Sequence, residues 1–574
     1  MLTITTAREA PAPPPLEQPT AAQPDPSRPP VPDEPVLAMD NIQGNGIVGF
    51  NKDFQTLLLL KIVDVPHFKR WLKSLVPFVA TASEVLAFSR LFKAIRSRRG
   101  ASQTIQATWI NVAFSYHALT QLADDATAFT DESFKQGLAA RSASLGDPTD
   151  PEEEGNPQNW VVGGPDNEAD VLLIIASDER NDMLREVSRI EHSLYPTRGA
   201  DGRIVRSGSV VISRQQGATL PPPLTGHEHF GFLDGVSQPG LRGRISDDPT
   251  DVLTFRQNPN ERGQGKPGQD LLWPGEFVLG YPGQDPNAED IEEPGPISVA
   301  GPAWAKDGSF VVYRRLRQDV HAFRQFVRQN AHQLGLATEF VGAKLVGRWA
   351  SGAPIMRAPE ADNQALGDDD CANNNFEFVE ESPQIFPEQK ASPIDCTDEI
   401  PNTPPPALFP PSEGDPQGLT CPFAAHIRKV YPRDDTSSTL PDTRETTTQT
   451  HRIIRRGIPF GEPFRHGLDI PFLDFEERGL HFVAYQTSIV EQFEFILQNW
   501  VNNLNFKEPQ AGHDMIIGQN NAPGAERERR FTITFTRDGV EERQVITTRA
   551  DWVIPTGGGY FFAPSIAALE LLAG

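Results

Sequence analysis

The run Thr56-Leu-Leu-Leu-Leu-Lys-Ile-Val63, followed closely by Pro66-His-Phe-Lys-Arg-Trp-Leu-Lys-Ser-Leu75, decides how the chain is read. An apolar run of this length predicts a strand, and the segment after it carries apolar residues at helical spacing behind a proline. Residues 108–114 and 171–176 then read as strands, 178–194 as a helix with Asp178 as its N-cap, and 210–213 as a strand. The order β-α-β-β-α-β specifies a ferredoxin-like sandwich, an antiparallel sheet with helices on one face.

A second set follows: strand 310–316, helix 319–334, strands 451–455 and 480–485, helix 489–501 and a closing strand near Phe561. No sequence repeat links the two sets, so two ferredoxin-like units of an α+β protein are expected on element order alone. Residues 1–36, rich in Pro, Ala, Gln and Glu, read as a disordered tail. Residues 37–218 form the first expected domain and 219–574 the second, with long Pro/Asp/Gly-rich insertions at about 242–300 and 357–420 and a polar loop at 434–450.

The formal net charge of -25 argues against nucleic acid as a partner, since phosphate backbones are bound by clustered Lys and Arg. No apolar run approaches the roughly 18 residues that span a bilayer, so no membrane segment is expected. The N-terminus shows no apolar h-region and no twin-Arg pair, which predicts cytoplasmic residence. The chain stops at Leu571-Leu-Ala-Gly574, where no cargo tag for an encapsulating shell is expected. Cys371, Cys396 and Cys421 are too few and too far apart for a disulfide framework, a zinc ribbon or a CxxCH attachment.

Three segments carry chemistry. Gly44-Asn-Gly-Ile-Val-Gly49 matches GxGxxG, but it precedes a strand and no helix is expected to open on it, so it is read as a Gly-rich loop and not as a dinucleotide site. His227-Glu-His229 allows a non-haem metal site, although alternate residues of any strand face one way. Gly231-Phe-Leu-Asp234-Gly235, inside a run ending Ser237-Gln-Pro-Gly240, frames one carboxylate with glycines, which lets backbone approach a flat ligand.

That GxxDG run resembles the signature of the dye-decolourising peroxidases. Cys421-Pro-Phe-Ala-Ala-His426-Ile-Arg428 resembles the family's proximal segment, His451-Arg-Ile-Ile-Arg455-Arg-Gly-Ile-Pro459 its distal arginine segment, and Gly479-Leu-His-Phe482-Val-Ala-Tyr485 the strand after it. Weaker similarities include Gly347-Arg-Trp-Ala-Ser-Gly-Ala-Pro354, and the likeness runs in order from about Asn41 to Leu572. The resemblance implies two units packed as one dimeric α+β barrel-like protein. It also implies one non-covalent haem b per chain, and hydrogen peroxide oxidising a bulky organic donor such as an anthraquinone dye or a phenol through a ferryl intermediate.

By the same resemblance His426 is the iron ligand, and Asp234 and Arg455 are the distal pair that moves the proton and stabilises charge. The family pattern of Arg, one residue, then a small residue selects Arg455 over Arg456. Arg433 is expected on a haem propionate, and Leu480 and Phe482, two apart on a strand, wall the distal pocket. Glu491 is a candidate carboxylate partner of His426, an exposed helical Glu being the other reading, and Trp500, Tyr485 and Tyr431 are candidate electron relays, core packing being the other reading of each. Two other readings stay open: a haem-binding or storage protein without turnover, and a non-haem enzyme at His227 and His229. Chlorite-dismutase-like and deferrochelatase-like activities are further haem alternatives, the first weakened by Asp234.

Overall fold

A computed structural model describes residues 34–99, 105–195, 197–198, 204–205, 208–256, 263–288, 290–382, 409, 412–435, 445–464 and 476–574. Most of the expected tail, much of the second insertion with Cys396, and part of the 434–450 loop lie outside these residues.

Local chemistry explains the first elements. β1 (Phe54–Ile62) leads into α2 (Val65–Leu75), which follows a one-turn α1 (Gly44–Ile47) in the chain. Asp64 caps α2 by accepting from His67 N at 3.1 Å, and Phe68, Trp71, Leu72 and Leu75 face the core at 3-4-7 spacing. β2 (Thr108–Phe114), β3 (Val171–Ser177), α4 (Arg180–Leu194) and β4 (Ser209–Ala218) complete the first unit, with α3 (Ala82–Arg99), unforeseen in the sequence, inserted after α2.

The second unit comprises β5 (Ser309–Gln318), α5 (Val320–Leu334), β6 (Ile454–Arg455), β7 (Ile458–Phe460), β8 (Gly479–Gln486) and β11 (Val553–Ala563). Asp319 caps α5 on Ala322 N at 2.9 Å, and Gly335 closes it in the left-handed region. The predicted helix over 489–501 winds as two π-helical stretches, Ile489–Glu494 and Ile496–Val501. α6 (Thr338–Val346), α7 (His426–Val430) and the hairpin β9 (Arg529–Arg537) and β10 (Val540–Thr548) are further additions.

One antiparallel nine-stranded sheet runs β6-β8-β5-β11-β2-β3-β1-β4, with β7 also paired to β8. Each unit therefore has the order 2-3-1-4, the ferredoxin-like arrangement expected twice, and β11 joins β2 where Phe562 opposes Phe114. No ladder joins the two ends among the described residues, so the sheet is not a closed barrel. The ends do meet: a Cβ on Gly217 of β4 would lie 2.5 Å from Ile458 Cγ2 of β7.

Three expectations need correction. The sheet is covered on both faces, not one. Leu58, Val112 and Leu173 face α2 and α4, while Leu57, Leu59, Leu172 and Ile174 face residues 37–50, α3 and the first insertion through Leu272, Phe277 and Tyr281. Double burial is why residues 57–60 are continuously apolar and do not alternate. Secondly, a short helix does open on Gly44. Gly44 serves close packing, since a Cβ there would meet Val85 Cγ2 at 2.5 Å. Thirdly, Asp178 does not cap α4; it takes Lys52 Nζ at 2.6 Å and Ala107 N at 2.8 Å.

Candidate active site

Between β5, β8 and the segments inserted into the second half lies a cavity of about 300 Å³, and Asp234, His426, Arg433, Arg455, Leu480 and Phe482 all line it. Asp234 reaches it because Gly231 and Gly235 both take positive φ, 104° and 81°. The space beside Gly235 is open, so conformation and not crowding calls for glycine there.

Asp234 Oδ1 accepts from Arg455 Nη1 at 2.8 Å and from Gly235 N at 2.6 Å, and both side chains of the pair keep about a third of their surface open, 38% and 32%. Enclosure raises the Asp234 carboxyl, but the Arg455 charge, the hydrogen bonds and the nearby His426 outweigh it and hold the group below the usual carboxylate range. Gln238 clamps the Arg455 backbone from both sides, accepting from its N at 3.2 Å and donating to its O at 3.1 Å. Arg456 points away, donating to Asn45 O and Gly46 O behind the sheet.

His426 opens α7, and its Nδ1 lies 2.8 Å from Asp514 Oδ2. Asp514 is fully buried, and its other oxygen accepts from Ile516 N at 2.8 Å and Ile517 N at 3.2 Å, so the ring is held at a fixed angle. Burial alone would lower the imidazole, yet the Asp514 charge and hydrogen bond hold it above its ordinary value. Nε2 is the ring nitrogen left for the cavity. Glu491, the candidate carboxylate partner, is exposed, as its other reading had it, and binds His451 through its backbone oxygen; the carboxylate beside His426 is Asp514. Its sequence signal was slight: one Asp immediately before the apolar run Met515-Ile-Ile517.

Arg433 sits with φ 55°, its Nη1 on Phe376 O at 2.6 Å and its Nη2 on Asn374 Oδ1 at 2.8 Å. Arg348, missed in the sequence although inside a quoted motif, shares that Asn374 oxygen at 2.8 Å and also lines the cavity. Burial and the Arg433 charge push Arg348 down, the mark of two cations held together mainly by neutral acceptors. Glu377 stands 3.7 Å from Arg433, but burial pushes its carboxyl up to about 8, so it neutralises the pair poorly.

The donor set fits haem: a free imidazole nitrogen backed by a carboxylate, apolar walls including Val346, Ile427, Phe493 and Ile517, and two under-neutralised guanidiniums for acidic side chains. The HxH pair does not converge, since His227 Nδ1 lies on Thr225 O and buried His229 Nε2 on Phe460 O. Among the described residues no group of three His, Cys, Asp or Glu side chains could hold a metal ion, and no helix is long and apolar enough to cross a membrane. Trp500, Tyr485 and Tyr431 are all buried, and Tyr431 binds Asp270 with Arg452 stacked 3.5 Å from its ring centre.

The DyP dimeric alpha+beta barrel domain matches residues 41–206. The dye-decolorizing peroxidase of Mycena epipterygia is 31% identical over 558 residues, covering 94% of this chain and 87% of that protein. Among solved structures, an ancestral D-type dye decolorizing peroxidase has a TM-score of 0.68 at 31% identity, covering 93% of this chain and 99% of that one. A dye-decolorizing peroxidase in complex with 2,6-dimethoxyphenol has a TM-score of 0.63 at 28% identity, covering 94% of this chain and 100% of that one. The chain therefore belongs to the dye-decolorizing peroxidase family, whose members depend on haem, and it is a peroxidase that acts on hydrogen peroxide.

Proposed function

We propose that the protein binds one non-covalent haem b in this cavity, within residues 219–574, and uses peroxide to oxidise bulky organic donors. His426 Nε2 would hold the iron, Asp514 orienting the ring and raising its basicity. Arg433, with Arg348, would take the propionates, and Leu480 and Phe482 would wall the side where peroxide reacts. Haem, when bound, supplies the iron that receives peroxide and stores its oxidising equivalents.

The chain's own groups do the proton work. Asp234, ionised through its contact with Arg455, takes a proton from one peroxide oxygen and returns it to the other, which leaves as water. Arg455 faces the negative charge that develops on the departing oxygen. The observation that carries the reading is the 2.8 Å Asp234–Arg455 pair in the cavity that also holds the Asp514-backed His426. A storage protein has no use for such a pair.

With haem in the cavity, donors of dye size would find no room beside it, so their oxidation is assigned to the protein surface, reached by electron transfer. The buried aromatics named above can serve only as inner steps of such a path. The compartment is a separate question. Cys371 is disulfide-bonded, and such bonds persist mainly in oxidising surroundings, which weighs against the cytoplasm inferred from the N-terminus. The test of the function is direct: haem-loaded protein should show a Soret band and oxidise 2,6-dimethoxyphenol and an anthraquinone dye only when peroxide is added. A Soret band with no peroxide-dependent turnover would revive the storage reading.

A further inference from the structure

The short helix that presents His426 also carries a buried cation that the proton chemistry leaves unused. Lys429 follows His426 by three residues on α7, which makes the two side chains neighbours on the helix surface, and it is 0% exposed. Its Nζ donates to Asn503 O at 2.7 Å and to Phe506 O, and stands 5.5 Å from the centre of the Phe506 ring.

Those acceptors belong to the loop that carries Asp514. The loop leaves the second π-helical stretch at Val501 and closes where Gly512 N donates to Leu504 O at 3.0 Å and Asp514 N donates to Val501 O at 3.2 Å. Asn503 and Phe506 lie inside that closure. Lys429 therefore fastens the helix of His426 to the loop of Asp514, the same two elements that the 2.8 Å His426–Asp514 contact joins.

Its charge has a second effect. Both acceptors are neutral backbone oxygens, and burial pulls the ammonium down to about 7 while the Asp514 charge pulls it back up, so ammonium and carboxylate feel each other. Burial takes neighbouring His513 down to about 4 and the Lys429 charge adds to the fall, so that ring brings no positive charge of its own. Arg529, another buried cation that feels Asp514, has a carboxylate to itself in Asp551 at 3.4 Å. A cation facing Asp514 steadies its negative charge and makes it a weaker acceptor of the His426 N–H. The imidazole then passes less electron density to a metal than Asp514 alone would induce.

We propose that Lys429 is a positioning residue of the proximal side: it fastens α7 to the Asp514 loop, and its positive charge limits the pull of Asp514 on the His426 N–H, which sets how strongly Nε2 donates to iron. The proposal rests on the reading of His426 as the iron ligand.

The test uses the haem-loaded full chain at about pH 6, where the ammonium is charged, and reads the ferric–ferrous midpoint potential and the iron–histidine stretch in Raman spectra of the ferrous form. Removing the tie and removing the charge have opposite signs. Loss of the tie alone loosens the His426–Asp514 contact, weakens the donor and raises the potential; loss of the charge alone strengthens the donor and lowers it. The charge should dominate. Lys429→Met, and Lys429→Gln, which keeps a neutral donor for the backbone oxygens, should lower the potential by about 59 mV, a tenfold change in the one-electron equilibrium, and raise the stretching frequency. Lys429→Arg should stay near wild type. In an Asp514→Asn background the neutral substitutions should shift the potential much less, because the effect runs through the carboxylate. An unchanged or higher potential in the neutral variants overturns the proposal, and so does an equal shift in the absence of Asp514. The ligand reading fails separately, through an iron–histidine stretch that survives His426→Ala, and takes the proposal with it; once that stretch is abolished, the Lys429 variants judge the proposal alone.

Discussion

The two units share the strand order 2-3-1-4 and differ in what lies between sheet and helices. In the first, Phe68, Trp71 and Leu72 of α2 and Met183, Val187 and Ile190 of α4 close directly on Leu58, Leu60, Val112 and Leu173, leaving a sealed apolar layer. In the second, α5 packs through Phe323, Val327 and Ala331 against α6 and the β9–β10 hairpin, with Phe531, Ile533 and Trp552. The inserted segments carrying Asp234, His426 and Arg433 then stand against β5 and β8 with a cavity between. One topology thus supports a core or a site, and the insertions decide which. The contrast predicts that substitutions in the second unit change chemistry at little structural expense, and that those in the first do the reverse.

The largest effect should follow from His426→Ala. The protein should fold and lose most of its haem, more than the roughly 10–100-fold cost of removing an outer partner of a metal ligand, as read from Soret absorbance per protein. Full haem with an unchanged spectrum would place the ligand at another histidine. Next comes Asp234→Asn, which should retain haem and slow the reaction with peroxide by about 10²–10⁴-fold, because an amide can neither take nor return the proton. Stopped-flow spectra check it, and a wild-type rate would leave Arg455 as the essential distal group.

How far the sequence led differs by kind of feature. Local patterns were legible: the apolar run at 56–63, the helix of residues 65–75, and the glycine-framed Asp234 each announce themselves within a few neighbours. Motif resemblance named residues that the fold brings into one cavity from positions as far apart as Asp234 and Leu480. Pairings made only in three dimensions were not legible. Asp514 meets His426 across 88 positions, and Arg348 and Arg433 meet through Asn374, with no spacing rule to connect them. The insertion at 242–300 looked like loop because its strands are two to four residues long, yet it supplies the second cover of the sheet.

Phe68→Ala probes the sealed unit. Phe68 of α2 stands 5.5 Å from Trp71 and 6.3 Å from Phe114, ring centre to ring centre, and is 0% exposed. Its truncation should cost about 3–5 kcal/mol in a urea titration, while the peroxide rate of the folded fraction stays at the wild-type value. A rate that fell with stability would mean that the two units are not separable in this way. A smaller effect is expected from pH. Asp234 lies below the ordinary carboxylate value near 3.9 and stays ionised as pH falls toward its own lower value, so dye turnover should be highest below about pH 5. Arg455→Leu removes the charge that depresses it, so the acid limb of the residual activity should move to higher pH. An acid limb that does not move would assign it to another group.

The smallest expected effect is none at all, from Glu491→Gln. Glu491 was a candidate carboxylate for His426, but its side chain is exposed and its backbone, not its carboxylate, makes the hydrogen bonds: N donates to Ser488 Oγ at 3.1 Å and O meets His451 Nδ1. An exposed side chain without a structural partner usually changes stability by less than about 0.5 kcal/mol when replaced. Asp514→Asn is the matched substitution at the buried carboxylate. It removes the charge that holds the His426 imidazole above its ordinary value, so the ring becomes a weaker donor and the haem spectrum and affinity should shift, by about 10–100-fold in affinity or activity. The pair of variants separates the two carboxylates without appeal to the fold. A shifted spectrum in Glu491→Gln with a normal one in Asp514→Asn would mean that the proximal histidine is tuned from the π-helical side of the cavity, and that the sealed-versus-open contrast between the units does not extend to how the ligand is held.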